Sequence, residues 1–339
     1  MQLNEIWFLI VGFLFIGYFV LDGFDFGVGM SLPFLGKDDT DRRVLINTIG
    51  PVWDLNETWV LVAGASLFAA FPEWYASLFS GFYLPLLLIL AALIARGVAF
   101  EYRGKGKTIG ANETRWKATF DWMIVVGSAL PALLWGVAFA NIVQGVPLNE
   151  SHVYTGNLFT LLNPYGLLGG LVTLTLFWTH GLMFIALKTE GDIKERAVKL
   201  GMKVGIATTL LAATFLVWTL IAHFSVLGFI LSALAAVSLI AGLVANYFNR
   251  EGIAFSLLVV TIVTAVGSLF AALFPNVFPS TTNAAFSLTI ENASSSQYTL
   301  TVMTWVAAFM IPLVMLYQGW TYWVFRKRIS RKSIPVGSH

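Results

Sequence analysis

"IWFLIVGFLFIGYFVLDGFDFGVGM", residues 6–30, carries two charged side chains, Asp22 and Asp25, in an otherwise oily run. A bilayer span needs about 20 mostly apolar residues, so the stretch reads as a membrane helix. Its two acids stand one turn apart and share a helix face. A carboxylate at the bilayer centre costs roughly 2.5 kcal/mol or more, so it marks a polar path, a ligand or a partner. The plainer alternative sets both acids at headgroup level, where they merely end the helix. The rest of the chain decides between them.

The composition points the same way: of 339 residues, 58% are hydrophobic and only 11% charged, against about 25% charged in soluble domains. The fold expected is an all-α integral membrane protein. No cysteine is present, which excludes disulfides, cysteine-held iron–sulfur clusters and thiolate metal sites. The N-terminal "MQLNEIWFLIVG" has no basic region and leads into an apolar run too long for a signal peptide, so the first segment reads as a retained helix. No repeat, low-complexity tract or soluble domain stands out, and no nucleic-acid partner is expected.

Hydrophobic length places nine spans, near 6–30, 51–71, 77–99, 120–142, 165–187, 204–221, 227–248, 254–274 and 299–325. On this map all 20 Lys and Arg residues fall on one side. They follow the first span (Lys37 to Arg43), surround the third loop (Arg96 to Lys117) and fill 188–203. The remainder are Arg250 and a cluster from Arg326 to Lys332. The positive-inside rule then sets the N-terminus outside and the C-terminus in the cytoplasm. The two long outer loops, 143–164 and 275–298, hold no basic residue and are expected to cap the outer face. The terminal "IPVGSH" reads as a tail.

With that orientation Asp22 and Asp25 lie in the inner half of the first span, roughly 8–12 Å above its end at about 1.5 Å per residue. The second span opens inside with "GPVWDLNETW", residues 50–59, which adds Asp54 and Glu57 at the same spacing. Consecutive helices on a short connection usually pack together, so four carboxyls converge on one inner region. Repulsion among them favours a shared, exchangeable set of protons, which is what a relay requires. Asn56 and Arg96 lie at similar depth, and Asn47 near the inner surface, where they supply hydrogen bonds or a compensating charge. The structural alternative is an Arg96–carboxylate bridge, but one cation cannot pair with four acids. Gly23, Gly27 and Gly29 around the first pair allow a close helix approach. Trp53 and Trp59 flank the second pair and suggest either a quinone-sized slot or interface anchoring.

Other chemistries lack residues. From position 204 onward the only acids are Glu251 and Glu291, both in loops. His180, in "FWTHGLM", is the one histidine inside a span, and Met183 on the same helix cannot reach the opposite face of a haem. A structural hydrogen bond is the expected role, and no metal site is expected. His223 is placed at the interface, and Trp7, Trp74, Trp116, Trp320 and Trp323 fit an aromatic belt.

Taken in order, "LDGFDFGVGM", "GPVWDLNETW", "FAAFPEWYASLFSGFYLPLLL", "LIARGVAFEYR", "NPYGLLGGL" and "SSSQYTLTVMTW" resemble subunit II of cytochrome bd-type quinol oxidases over nearly the whole chain. The resemblance implies one membrane domain built as two four-helix bundles and a peripheral helix. On the present map these are residues 6–142, 204–325 and 165–187, followed by a cytoplasmic tail at 326–339. It also implies a haem-free chain paired with subunit I, which carries haems b and d and oxidises quinol in a bacterial cytoplasmic membrane. A small single-helix third subunit, membrane lipid and a structural quinone in this chain are its other associations. The complex reduces O₂ to water with protons drawn from the cytoplasm, and acids of subunit II line part of that path. The matching positions are Asp25 and Asp54, with Asp22 and Glu57 assisting. Where the family usually has W-D-G-N, Leu55 follows Asp54, which puts a bound water or quinone there in doubt. Two other readings compete: a proton-coupled transporter, disfavoured because the second half has no acid in its spans, and a purely structural subunit.

Overall fold

The computed structural model describes residues 2–334; residues 335–339 of the expected tail lie outside them. The described chain is mostly helical. Eight of its helices are long and apolar enough to cross a membrane. They are α1 (Leu3–Leu35), α5 (Tyr83–Tyr102), α6 (Glu113–Gln144), α8 (Pro164–Lys188), α9 (Asp192–Ala222), α10 (Val226–Tyr247), α11 (Glu251–Leu273) and α12 (Gln297–Val324). The second expected span is α3 (Trp53–Ala70), 18 residues long, whose Asp54, Asn56 and Glu57 dilute its apolar character. Shorter helices complete the set: α2 (Asp39–Ile49), α4 (Pro72–Gly81) and α7 (Leu158–Leu161).

Local chemistry sets several of these boundaries. α6 starts where the Asn112 side chain accepts from Arg115 N–H, and α8 where Asn163 accepts from Gly166 N–H ahead of Pro164 at the first turn, both standard ways of satisfying free amides at a helix start. The expected third span at 77–99 is broken at Phe82 into α4 and α5. Pro85 has no N–H to give Gly81 and its ring disfavours helix just before it, so the chain restarts there. α1 runs on through Pro33 to Leu35, five residues past the expected end. Its acids therefore lie deeper than the sequence suggested, roughly 15–20 Å from the helix end at about 1.5 Å per residue.

Packing reassigns the peripheral helix. The fifth span, α8, was expected at the edge, yet it packs against α1, α6, α9 and α11, and 67% of its apolar window is buried against 6% for α12. Its glycines explain this. A Cβ on Gly169 would meet the Gly136 carbonyl at 2.8 Å and the Ala140 side chain at 2.6 Å, and one on Gly181 would meet the Gly27 backbone at 2.4 Å. Close backbone approach of this kind is how membrane helices associate without a hydrophobic drive. α8, α9, α10 and α11 thus close one ring, in place of the 204–325 grouping, and α1, α3, α5 and α6 form the other helix group. α12 lies outermost.

Both ends are tied. At one end the loops expected to cap the bundle meet: Val146 N–H donates to Pro279 O at 3.0 Å and Thr281 N–H to Val146 O at 3.0 Å, beside a short antiparallel pair, β1 (Asn276–Phe278) with β2 (Leu288–Thr289). At the other end the loops are cross-linked by ion pairs, Lys37–Asp192 at 3.1 Å, Arg196–Asp41 at 2.9 Å and Arg103–Asp121 at 2.6 Å. Residues 326–334 are docked there and not a free tail: Ile329 N–H bonds Lys188 O at 2.8 Å, and Arg331 pairs with Asp38.

Candidate functional site

α1 packs against α3 and α6 of its own group and against α8 and α11 of the ring, and its Asp22–Asp25 turn faces protein on every side. Asp22, Asp25, Asn56 and Arg96 are each 0% exposed. Close approach creates this burial. A Cβ on Gly27 would stand 2.1 Å from Phe177 O, and one on Gly23 2.9 Å from the Phe177 ring. The glycines flanking the acids hold α1 against α8 at the depth where the acids project the other way, toward α3, α5 and α12.

Two polar clusters result. In the first, Arg96 on α5 donates through Nη2 to Asp22 at 2.7 Å and to Glu57 at 2.8 Å, with its guanidinium carbon 4.5 Å from the centre of the Phe26 ring. The Arg96–carboxylate bridge is thus real for two of the four acids. In the second, Asn56 Nδ2 donates to Asp25 Oδ2 at 2.8 Å and to Leu21 O at 3.2 Å, while its Oδ1 accepts from Gln318 Nε2 at 2.9 Å and the Tyr322 hydroxyl at 2.7 Å. Asp25 has no cationic partner among the described residues. One oxygen each of Asp22 and Asp25, the Arg96 Nε and Nη1, and the Gln318 amide oxygen are buried with no protein partner. A buried polar group without a partner is costly, so such a set of facing donors and acceptors suits ordered water or a mobile proton.

The other expected positions lie elsewhere. Asp54 is exposed at the first turn of α3, one turn before the mostly buried Glu57, and is not bonded into either cluster. Asn47 is exposed on α2. Trp53 packs on Phe100 of α5 at 5.2 Å, whereas Trp59 packs on Phe13 of α1 at 5.8 Å and fills the space over Gly17. The two rings therefore share no slot. The nearest ligand-sized space is an apolar groove of about 530 Å³ between α3, α4 and α5, with Glu57 at its edge and Phe68, Tyr75, Leu90 and Trp135 along its walls. Gln318 and Tyr322 were missed. In sequence they are two polar groups in an interface-like "LYQGWTYW", and only the fold brings them beside residue 56.

His180 is held by α1 and α11. Its Nε2–H donates to Val20 O at 3.1 Å, and its ring stacks on Phe255 at 4.7 Å with 7° between planes. Among the described residues no three His, Asp or Glu side chains come together as a metal site.

The sequence family described as cytochrome bd terminal oxidase subunit II matches residues 3–325. The chain is 41% identical over 336 residues to cytochrome bd ubiquinol oxidase subunit 2 of Bacillus subtilis, covering 98% of each. It is 37% identical to cytochrome bd-I ubiquinol oxidase subunit 2 of Escherichia coli K12, over 99% of this chain and 98% of that one. The solved bd oxidase from Geobacillus thermodenitrificans contains a chain with the same fold, at TM-score 0.76 and 16% identity, covering 96% of this chain and all of that one. On its sequence and its fold together, this chain belongs to the cytochrome bd terminal oxidase subunit II family.

Proposed function

We propose that this chain is the haem-free subunit of a quinol oxidase in the aerobic respiratory chain of a bacterial cytoplasmic membrane, and that it carries protons from the cytoplasm toward the site of O₂ reduction. Family membership makes it a multi-pass membrane subunit of an oxidoreductase complex. The names of its relatives imply a subunit I partner, and haems b and d are assigned to that partner. On this reading α3 is a true span, which gives nine crossings with the N-terminus outside and the basic end in the cytoplasm. Quinol at the level of the complex, surrounding lipid and a small single-helix third subunit complete the associations. A structural quinone, if this chain holds one, lies along the α3–α5 groove beside Glu57 and not between Trp53 and Trp59.

One observation carries the proton reading: Asp25 is fully buried, has no ion-pair partner among the described residues, and keeps one carboxyl oxygen unbonded next to the Asn56–Gln318–Tyr322 cluster. An acid in that setting can hold and pass on a proton. Asp22 and Glu57, fixed by Arg96, set the local charge and orient the neighbouring groups. Asp54, exposed on α3, serves as a surface collector at the mouth.

The Arg96 bridge also favours a purely structural role for Asp22 and Glu57, so the test must separate the two. In the assembled oxidase, Asp25→Asn is expected to slow O₂ reduction at least ~100-fold, within the ~10²–10⁴-fold range of positioned proton transfer, with haem content and yield unchanged. Normal turnover removes Asp25 from the path, and loss of the haems assigns it to assembly.

A further inference from the structure

The second ring of helices encloses a cavity that the proton path does not use. It measures about 140 Å³ and lies between α6, α8, α9, α10 and α11. Small side chains make the space: Gly136 and Gly169 bring α6 and α8 together, and Ala212 and Ala235 recede from α9 and α10.

The polar residues in its wall are spent on the helices themselves. Thr173 Oγ1 donates to Ala132 O at 2.6 Å, Thr209 to Gly205 O at 2.8 Å, and Thr261 to Leu257 O at 2.8 Å. No buried, unpartnered side-chain atom belongs to the lining residues. A buried water needs two to four polar partners, whereas an apolar void of roughly 150 Å³ stays dry and takes xenon or benzene. The volume is therefore too dry for water and too small for a ring with a long tail. Access is lateral, since Ala213 on α9 and Ile240 on α10 line the cavity and are exposed on the apolar flank of the bundle.

We propose that this cavity is a binding site for a small apolar gas molecule, and that its physiological occupant is dioxygen, taken from the bilayer between α9 and α10 and held within the complex. The identity of the gas rests on the oxidase reading above; the existence of the site does not.

Xenon separates the two claims. In the purified complex under xenon pressure, density is expected inside the cavity. Ala235→Leu, which fills it, should abolish that density, and Leu239→Ala, which enlarges it, should strengthen the density. Haem content serves as the check that each variant has assembled. An empty cavity in a complex that takes xenon elsewhere overturns the proposal, as does a resident acyl chain or ordered water in its place. If xenon binds but Ala235→Leu leaves the KM for O₂ unchanged, the gas site stands and its assignment to dioxygen falls. Neither result depends on Asp25, so a failure here is distinct from a failure of the proton path.

Discussion

Arg96 is the largest fully buried side chain among the described residues, and it holds two carboxylates with one guanidinium. Removing one partner of a buried ion pair costs about 3–5 kcal/mol, because the remaining charge is stranded, whereas replacing the whole set by apolar groups is often nearly neutral. Arg96→Met should therefore lower the stability of the assembled complex by about 3–5 kcal/mol, seen as a fall in its thermal midpoint. The triple variant that adds Asp22→Leu and Glu57→Leu should recover most of the loss. If the triple variant is no better than the single one, the carboxylates are not the stranded charges. Much of this site was legible in the sequence. An acid pair in an apolar run, a second pair on the next helix and one arginine at matching depth define Asp22, Asp25, Glu57 and Arg96. Asp54 was expected among the converging carboxyls but is exposed, because it stands at the first turn of α3, one turn before Glu57, which alone of that pair reaches Arg96. Gln318 and Tyr322 were illegible for another reason: contacts across more than 260 positions leave no local pattern.

Among helices, the decisive contact is between α1 and α8, where Gly27 and Gly181 meet backbone to backbone. A side chain on Gly27 would enter the Phe177 carbonyl at 2.1 Å, which no rotamer relieves, so the helices must move apart. Overpacking of a tight core typically costs about 1–3 kcal/mol, and here it also tilts the turn that carries Asp25. Gly27→Ala should lower the thermal midpoint and slow turnover together. Gly64→Ala, where nothing lies within 4 Å, should hold or gain stability, since alanine is favoured over glycine by about 1 kcal/mol inside a helix. Equal effects at both positions would mean that helix propensity, not close approach, governs α1. The same glycines explain why α8 is central. Apolar length makes α8 and α12 look alike in sequence, but α8 carries Gly169, Gly170 and Gly181 at contacts while Gly319 of α12 touches nothing. Reading glycine as a sign of burial, and not length alone, would have exchanged their places.

For the whole molecule, the distribution of charge is the strongest statement about its setting. All 20 basic residues were assigned to one side by counting spans, and at that end of the fold ion pairs join the segment after α1 to α9 and to the segment after α12, while Arg96 is buried within the bundle. The opposite end is closed by the two loops that carry no basic residue. That arrangement depends on α3 crossing the bilayer despite its three polar residues. If it does not, Glu73, on α4 just after α3, and the basic loop around Lys107 exchange their relation to the N-terminus. Because the chain has no cysteine, single-cysteine labelling has no background from it. Glu73 and Lys107 are both exposed. On intact cells, an impermeant maleimide should label Glu73→Cys, and should reach Lys107→Cys only after the membrane is opened. Labelling of Lys107→Cys from outside, with Glu73→Cys protected, would mean that α3 does not cross or that the whole chain is reversed, and either overturns the nine-span topology with its N-terminus outside. Protection of both positions would put them on one side, so that α5 does not cross between them, and the charge asymmetry would then need another cause.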